Sequence, residues 1–322
     1  MTNRRPVDNA MAANRPEKNF VRQLWVDEIQ KVEEAGYNNK YPLYLTLPGA
    51  MGIEIRFLIE KGIIRITETG AIHEEDLHKI VAVESSRIAQ VKLLRQFPGL
   101  NVLKMSIQSL VRGDGQRNFP DNRDEIIYCK AKIINLDLDE PIMVDDSKNE
   151  LFIPVIEWIK KFFLLHKEGG IDWSLCLTLH GEMFWNANVN TQVIRFLVDN
   201  CSNDDQFREM LVAHLGEHIT QAIFDAQIDF TNIERSEAQR VAMILIPKLL
   251  VHHAVNNGWV IKTVHNYAYI GGGGAPMVTW IFNFYLDPEA TAQPITEYKN
   301  GIRNIFHQVG SIDGDGNLVP YR

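Results

Sequence analysis

The sequence predicts an α/β fold with a mostly parallel sheet that is closed by an antiparallel hairpin. Three observations carry this. From Tyr41 onward, short apolar runs rich in β-branched residues alternate with longer segments of helical period, the pattern of βαβ units. The first run, Tyr41 to Leu47, enters the turn Pro48-Gly49-Ala50-Met51-Gly52 and then a helix through Ile53, Phe57, Leu58 and Ile59 to Gly62. Near the other end, Trp259 to Ile270 and Pro276 to Leu286 read as two long strands joined by the tight turn Gly271 to Gly274, hence antiparallel.

The remaining elements follow in order. Residues 1–18 are polar, proline-punctuated and aperiodic, and read as a disordered lead-in. From Asn19 to Gly36, Phe20, Leu24, Trp25, Ile29 and Val32 recur at helical spacing. A polar insertion, Arg65 to His78, precedes a second strand, Lys79 to Val83, which ends on Glu84 and is followed by a helix from Ser85 to Gln96. Pro98 and Gly99 break the chain before a third strand, Asn101 to Met105. After a polar loop, Arg112 to Glu125, Lys132 to Leu138 forms the fourth strand, Leu151 to His166 a helix and Trp173 to Leu179 the fifth strand. Helices with acidic linkers occupy about 190–254, and after Asp287 the pattern weakens, leaving 291–322 as a peripheral tail on a main domain spanning 19–290.

Composition bounds the function. With 322 residues and 45% hydrophobic content the chain can bury a large core. Its net charge of −8 supplies no global field for nucleic acid, although Arg87, Lys92, Arg95, Arg112 and Arg117 could form a local basic patch. Cys129, Cys176 and Cys201 lack C-x-x-C spacing and suit a reducing cytoplasm. No apolar run reaches the roughly 18–20 residues of a membrane span, and the amino terminus has no signal-peptide core. There is no G-x-x-x-x-G-K-[ST] phosphate loop and no G-x-S-x-G elbow.

Five parallel-type strands with interleaved helices, then an antiparallel hairpin, resemble the Rossmann-like fold of class I S-adenosylmethionine-dependent methyltransferases. That family has seven strands, helices on both faces of the sheet, and a seventh strand that inserts antiparallel beside the fifth. A nicotinamide dehydrogenase would instead show a full G-x-G-x-x-G turn. The resemblance covers about Tyr41 to Leu286 and implies S-adenosylmethionine as cofactor. Pro48, Gly49 and Gly52 match the family's glycine loop, where missing Cβ atoms let backbone approach the methionine part of the cofactor. Glu84 stands where the family's acid accepts from the ribose hydroxyls, about 30 residues past the turn instead of the usual ~20; the bland alternative is a solvated strand end or a helix cap. Ser106 and Gln108 match the position that reads the adenine amino group, and the family's usual aspartate is missing there.

The reaction end falls on the fourth strand. Asn135, Asp137 and Asp139 alternate with Leu136 and Leu138, so the three polar side chains share one face at the strand's mouth. Carboxylates on a central parallel strand suffer desolvation unless they lie at the open carboxyl edge, where ligands bind in such sheets. The family's amino-methylating members carry Asp or Asn, Pro, Pro and an aromatic here; Asn135-Leu136-Asp137-Leu138-Asp139-Glu140-Pro141 departs from that. The strand is also similar to the Asp-Pro-Phe-Gly strand end of transfer-RNA guanine methyltransferases, without its phenylalanine and glycine. The resemblance therefore leaves the acceptor open, with a base in RNA or DNA as the first class to test. His180 and Glu182 end the fifth strand as candidate substrate contacts. His73-Glu74-Glu75-Asp76-Leu77-His78 has the wrong spacing for a zinc helix and reads as a solvated loop; His252-His253 reads as a helix-end cap. No metal is expected. The competing functional classes are a non-catalytic binding module that keeps the fold and, more distantly, a nicotinamide-dependent enzyme.

Overall fold

The computed structural model describes residues 15–37, 40–112, 125–138, 155–181, 195, 197–199, 202–225 and 234–321. Strands β1 (Tyr44–Thr46), β2 (Ile80–Val83), β3 (Asn101–Leu103), β4 (Ile133–Asp137), β5 (Trp173–His180), β6 (Val260–Ile270), β7 (Pro276–Tyr285), β8 (Val309–Ile312) and β9 (Leu318–Val319) form one mixed sheet. Its order is β3-β2-β1-β4-β5-β7-β6-β8-β9. The chain is thus α/β with parallel and antiparallel pairings, and the seven strands expected from the sequence become nine among the described residues. The two additions come from the segment after Asp287, where β8 pairs parallel with β6 and β9 antiparallel with β8. Val-Gly-Ser-Ile and Leu-Val are too short and too glycine- and serine-rich to announce themselves as strands.

The chain divides into two compact units, Met1–Asp137 with Leu164–Cys176, and Leu138–Phe163 with Leu177–Arg322. In the first, β1 pairs parallel with β2 on one side and with β4 on the other, and β2 pairs parallel with β3. Every residue of β1 and β2 is buried, as strands covered on both faces require. Helix α1 (Pro16–Glu34) starts three residues earlier than the apolar period marks, because proline is well suited to the first helical position. It buries Val21, Leu24, Trp25, Val26 and Ile29. Glu33 near its end pairs with Lys79 just ahead of β2, and Glu28 accepts from Ser174 at 2.8 Å. The short helices α2 (Ile53–Glu60) and α3 (Arg87–Gln96) follow β1 and β2. Helices α4 (Ile107–Arg112) and α5 (Glu125–Tyr128) lie between β3 and β4, and α6 (Val155–Gly169) precedes β5. Ser86 caps α3 by accepting from the Ala89 amide.

The second unit contains α7 (Asp205–Leu215), α8 (Glu217–Phe224), α9 (Arg235–Asn256), α10 (Pro288–Thr291) and α11 (Pro294–Asn304). Strands β6 and β7 pair antiparallel through the glycine turn, with a bulge between Thr263 and His265. Helix α9 is buried along most of its length despite an internal proline, Pro247. Proline has no N–H for the carbonyl four residues back. That carbonyl, on Met243, instead accepts from Asn266 Nδ2 of β6 at 2.8 Å.

Candidate functional site

In the first unit the chain passes from β1 to β2 to β3 and then returns to pair β4 on the other side of β1. Such a reversal leaves a crevice at the carboxyl ends of the strands on either side of it, here β1 and β4. The residues at that edge belong to the turn after β1, the end of β2, the loop after β3 and the end of β4.

The turn is shaped by its glycines. Gly49 has φ +60° and no atom within 4 Å of where a Cβ would stand, so backbone is presented to open space. Gly52 has φ +56° and is buried; a Cβ there would overlap the Phe97 ring and come within 2.9 Å of Leu93 Cδ2. Gly49 therefore opens the turn and Gly52 docks it. Pro48 is partly exposed beside them.

Below the turn lies a buried polar cluster. Glu54, in the first turn of α2, accepts from the Tyr44 hydroxyl, from Thr46 Oγ1 at 2.5 Å and from Asn135 Nδ2 at 2.7 Å. Asn135 Nδ2 also donates to the Tyr44 oxygen at 2.8 Å, while Asn135 Oδ1 is buried and has no hydrogen-bond donor among the described residues. Tyr44 and Thr46 are two apart on β1, as are Asn135 and Asp137 on β4, so each pair shares a face. Burial pushes the Glu54 carboxyl above its usual range against the three donors, and the charge of Asp137 pushes the same way. Burial also raises the Tyr44 hydroxyl strongly, with Glu54 adding to it. The Cys176 thiol is likewise raised by burial and by Glu28 and Glu54, so it is no thiolate nucleophile.

Asp137 ends β4 half-buried and accepts from Lys18 Nζ of α1 at 2.6 Å. The Lys18 ammonium also lies 5.4 Å from the centre of the Trp25 ring. The sequence places Lys18 in a lead-in without function; the structure makes it the partner of a predicted site residue. Glu84 is partly exposed at the end of β2, and its Oε1 accepts from the Ser86 amide at 2.7 Å. Ser86 and not Glu84 caps α3, which leaves the glutamate's second oxygen outside that turn. Ser106 Oγ accepts from the Ser109 amide at 3.0 Å, a helix-capping bond at the start of α4, and Gln108 in its first turn is partly exposed. The first unit thus brings Pro48, Gly49, Gly52, Glu84, Asn135 and Asp137 to the carboxyl ends of β1, β2 and β4, with Ser106 and Gln108 after β3.

His180 belongs to the second unit, at the end of β5, with Nδ1 buried and without a hydrogen-bond partner among the described residues. Asp139 and Glu182 lie outside the described residues. The segment His73 to His78 is solvated at Glu74, Glu75 and His78, as its composition suggests, but not at Asp76. Asp76 is buried, accepting from the Arg65 amide and side chain at 2.8 and 2.9 Å and pairing with Lys79 at 3.2 Å. Among the described residues no three His, Cys, Asp or Glu side chains group as metal ligands, and no helix is long and apolar enough to cross a membrane.

Comparison of the chain with protein-family models, curated proteins and solved structures finds no match.

The sequence reading passed over Glu54 and Thr46. Glu54 stands between Ile53 and Ile55 in an eight-residue helix, IEIRFLIE. An acid two residues past a glycine turn and flanked by isoleucines on both sides is the signal that was available, because that position faces the sheet and not water.

Proposed function

We propose that the chain is an S-adenosylmethionine-dependent methyltransferase whose cofactor lies in the crevice over β1 and β4. The observation that best supports this is the strand order. Strands β3-β2-β1-β4 run parallel in the first unit, and in the second β7 lies between β5 and β6 and antiparallel to β6, the arrangement expected of that family. The residues present also fit the cofactor: Gly49 offers open backbone at the switch point, and Glu84 offers a carboxylate one strand away for ribose hydroxyls. Gln108 has an amide oxygen for the adenine amino group.

The cofactor supplies an activated methyl group; the protein's part is to hold the acceptor in line with it. Asp137, paired with the Lys18 ammonium at 2.6 Å, would orient an acceptor amine and accept its proton as the carbon–nitrogen bond forms and the methyl–sulfur bond breaks, with the thioether as leaving group. A base in a nucleic acid is the first acceptor class on this reading, and a cytoplasmic location belongs to it. Lys18 also supports a second reading. An acid already paired at 2.6 Å suits a module that binds the cofactor but transfers nothing.

Incubation with methyl-labelled cofactor and pools of RNA, DNA and protein separates the two. Label in one pool, lost with Glu84→Ala and with Asp137→Ala, supports the enzyme. Cofactor binding with no label in any pool supports the module.

A further inference from the structure

The polar cluster under the glycine turn holds a buried acid with no cation among its described partners. Buried carboxylates are almost always paired with a cation, yet among the described residues Glu54 has three neutral donors and no Lys, Arg or His partner. Asp137, the acid whose charge acts on Glu54, has its own cation in Lys18. Among the described residues Asn135 Oδ1 is also buried without a donor, so its carbonyl dipole adds to the field of Glu54 once that group is ionised. Both groups are buried between β1 and β4 at the switch point, and Glu54 is two residues past Gly52. In a site of low dielectric, such a potential acts through space on whatever binds above it.

We infer that Glu54 is the counter-charge for a cationic ligand in this crevice, and that it selects a positively charged sulfonium over the neutral thioether left after methyl transfer. The inference rests on the cofactor reading above and adds to it a residue and a consequence: the charged substrate is held more tightly than the spent product, which favours product release. Glu54 acts here without touching the reacting atoms.

The groups that face Glu54 decide how this titrates. They are the Tyr44 hydroxyl from β1, Asp137 with its Lys18 from β4 and α1, and Cys176 of β5 beside Glu28 of α1. Burial favours the protonated carboxyl in the free protein, and a cation nearby favours the carboxylate. Binding of a cation therefore expels a proton, and affinity for it rises as pH rises through the Glu54 titration. Affinity for a neutral ligand does not.

The test is calorimetric titration of the full chain and of Glu54→Gln with three ligands: S-adenosylmethionine, its demethylated thioether product, and sinefungin, which replaces the sulfonium with an ammonium-bearing carbon. Glutamine keeps the shape and one of the two acceptor oxygens, its NH2 facing the Thr46 hydroxyl, but removes the charge. The expected result is a loss of about tenfold or more, ~1.4 kcal/mol, for the two cationic ligands, with the thioether changed by less than about twofold. An equal loss for all three would make Glu54 structural and overturn the inference while leaving the cofactor reading in place. A wild type that binds none of the three overturns the cofactor reading itself. Should Glu54→Gln fail to fold, the wild type titrated from pH 5 to pH 8 decides: cofactor affinity that climbs with pH relative to thioether affinity supports the inference, and parallel profiles overturn it.

Discussion

Gly52 and Glu54, two residues apart, carry the first turn for different reasons. Gly52 combines a left-handed backbone with a Cβ position already filled by Phe97 and Leu93. Gly52→Ala therefore meets both backbone strain and overpacking and is expected to destabilise by about 2–4 kcal/mol. Gly49→Ala, strained but unobstructed, is expected to cost about 1–2 kcal/mol; urea midpoints of the two variants check the difference. Glu54 gives a pH signature. Its folded carboxyl titrates above the unfolded value of 4.5, so the folded state holds its proton more tightly. The stability this contributes is complete below pH 4.5 and is lost as pH rises through the folded titration. Glu54→Gln is expected to flatten that fall, measured as the difference in unfolding free energy between variant and wild type from pH 4 to pH 8. At this scale the sequence was legible where polarity interrupts an apolar strand: Asn135 and Asp137 stand out among Ile134, Leu136 and Leu138. It was not legible where a polar residue sits in a mixed helix. Lys18 and Glu54 look like any solvated charge until the fold brings Asp137 to one and Tyr44, Thr46 and Asn135 to the other.

Among the elements, β1, β2 and β4 were readable because central parallel strands are apolar on both faces. Their lengths shrank from the expected spans to three, four and five residues, since pairing partners, which a single sequence does not display, decide where a ladder ends. Strands β8 and β9 show the limit. Strand β8 pairs with β6, more than forty residues away for Ser311, whose hydroxyl donates to the Ala268 carbonyl, and β9 pairs in turn with β8. Helix α9 makes a testable point of its own. If Asn266 replaces the bond that Pro247 cannot make, Asn266→Leu should destabilise by about 1–3 kcal/mol. The same change should cost less beside Pro247→Ala, whose restored N–H can bond the Met243 carbonyl. A double-mutant cycle with coupling of about 1 kcal/mol is expected; strict additivity would mean that the proline and the asparagine are unrelated.

Across the whole molecule, the α/β class and the closing hairpin were visible in the alternation of patterns, whereas the strand order was not. Order comes from pairings between segments far apart in the chain, and parallel pairs leave no turn signature between neighbours. The order nonetheless bears most on function, because it fixes where the sheet reverses and so which loops form a crevice. Among the described residues the acid under the turn, Glu54, bonds three neutral donors, which is the support for a positively charged ligand in the proposed site. The most direct test is calorimetric titration of the wild-type protein with S-adenosylmethionine, alongside Glu84→Ala. Micromolar binding, about −8 kcal/mol, that weakens at least ~tenfold in the variant is the predicted result. No heat and no thermal shift with the wild type would contradict the cofactor site and the methyltransferase function together.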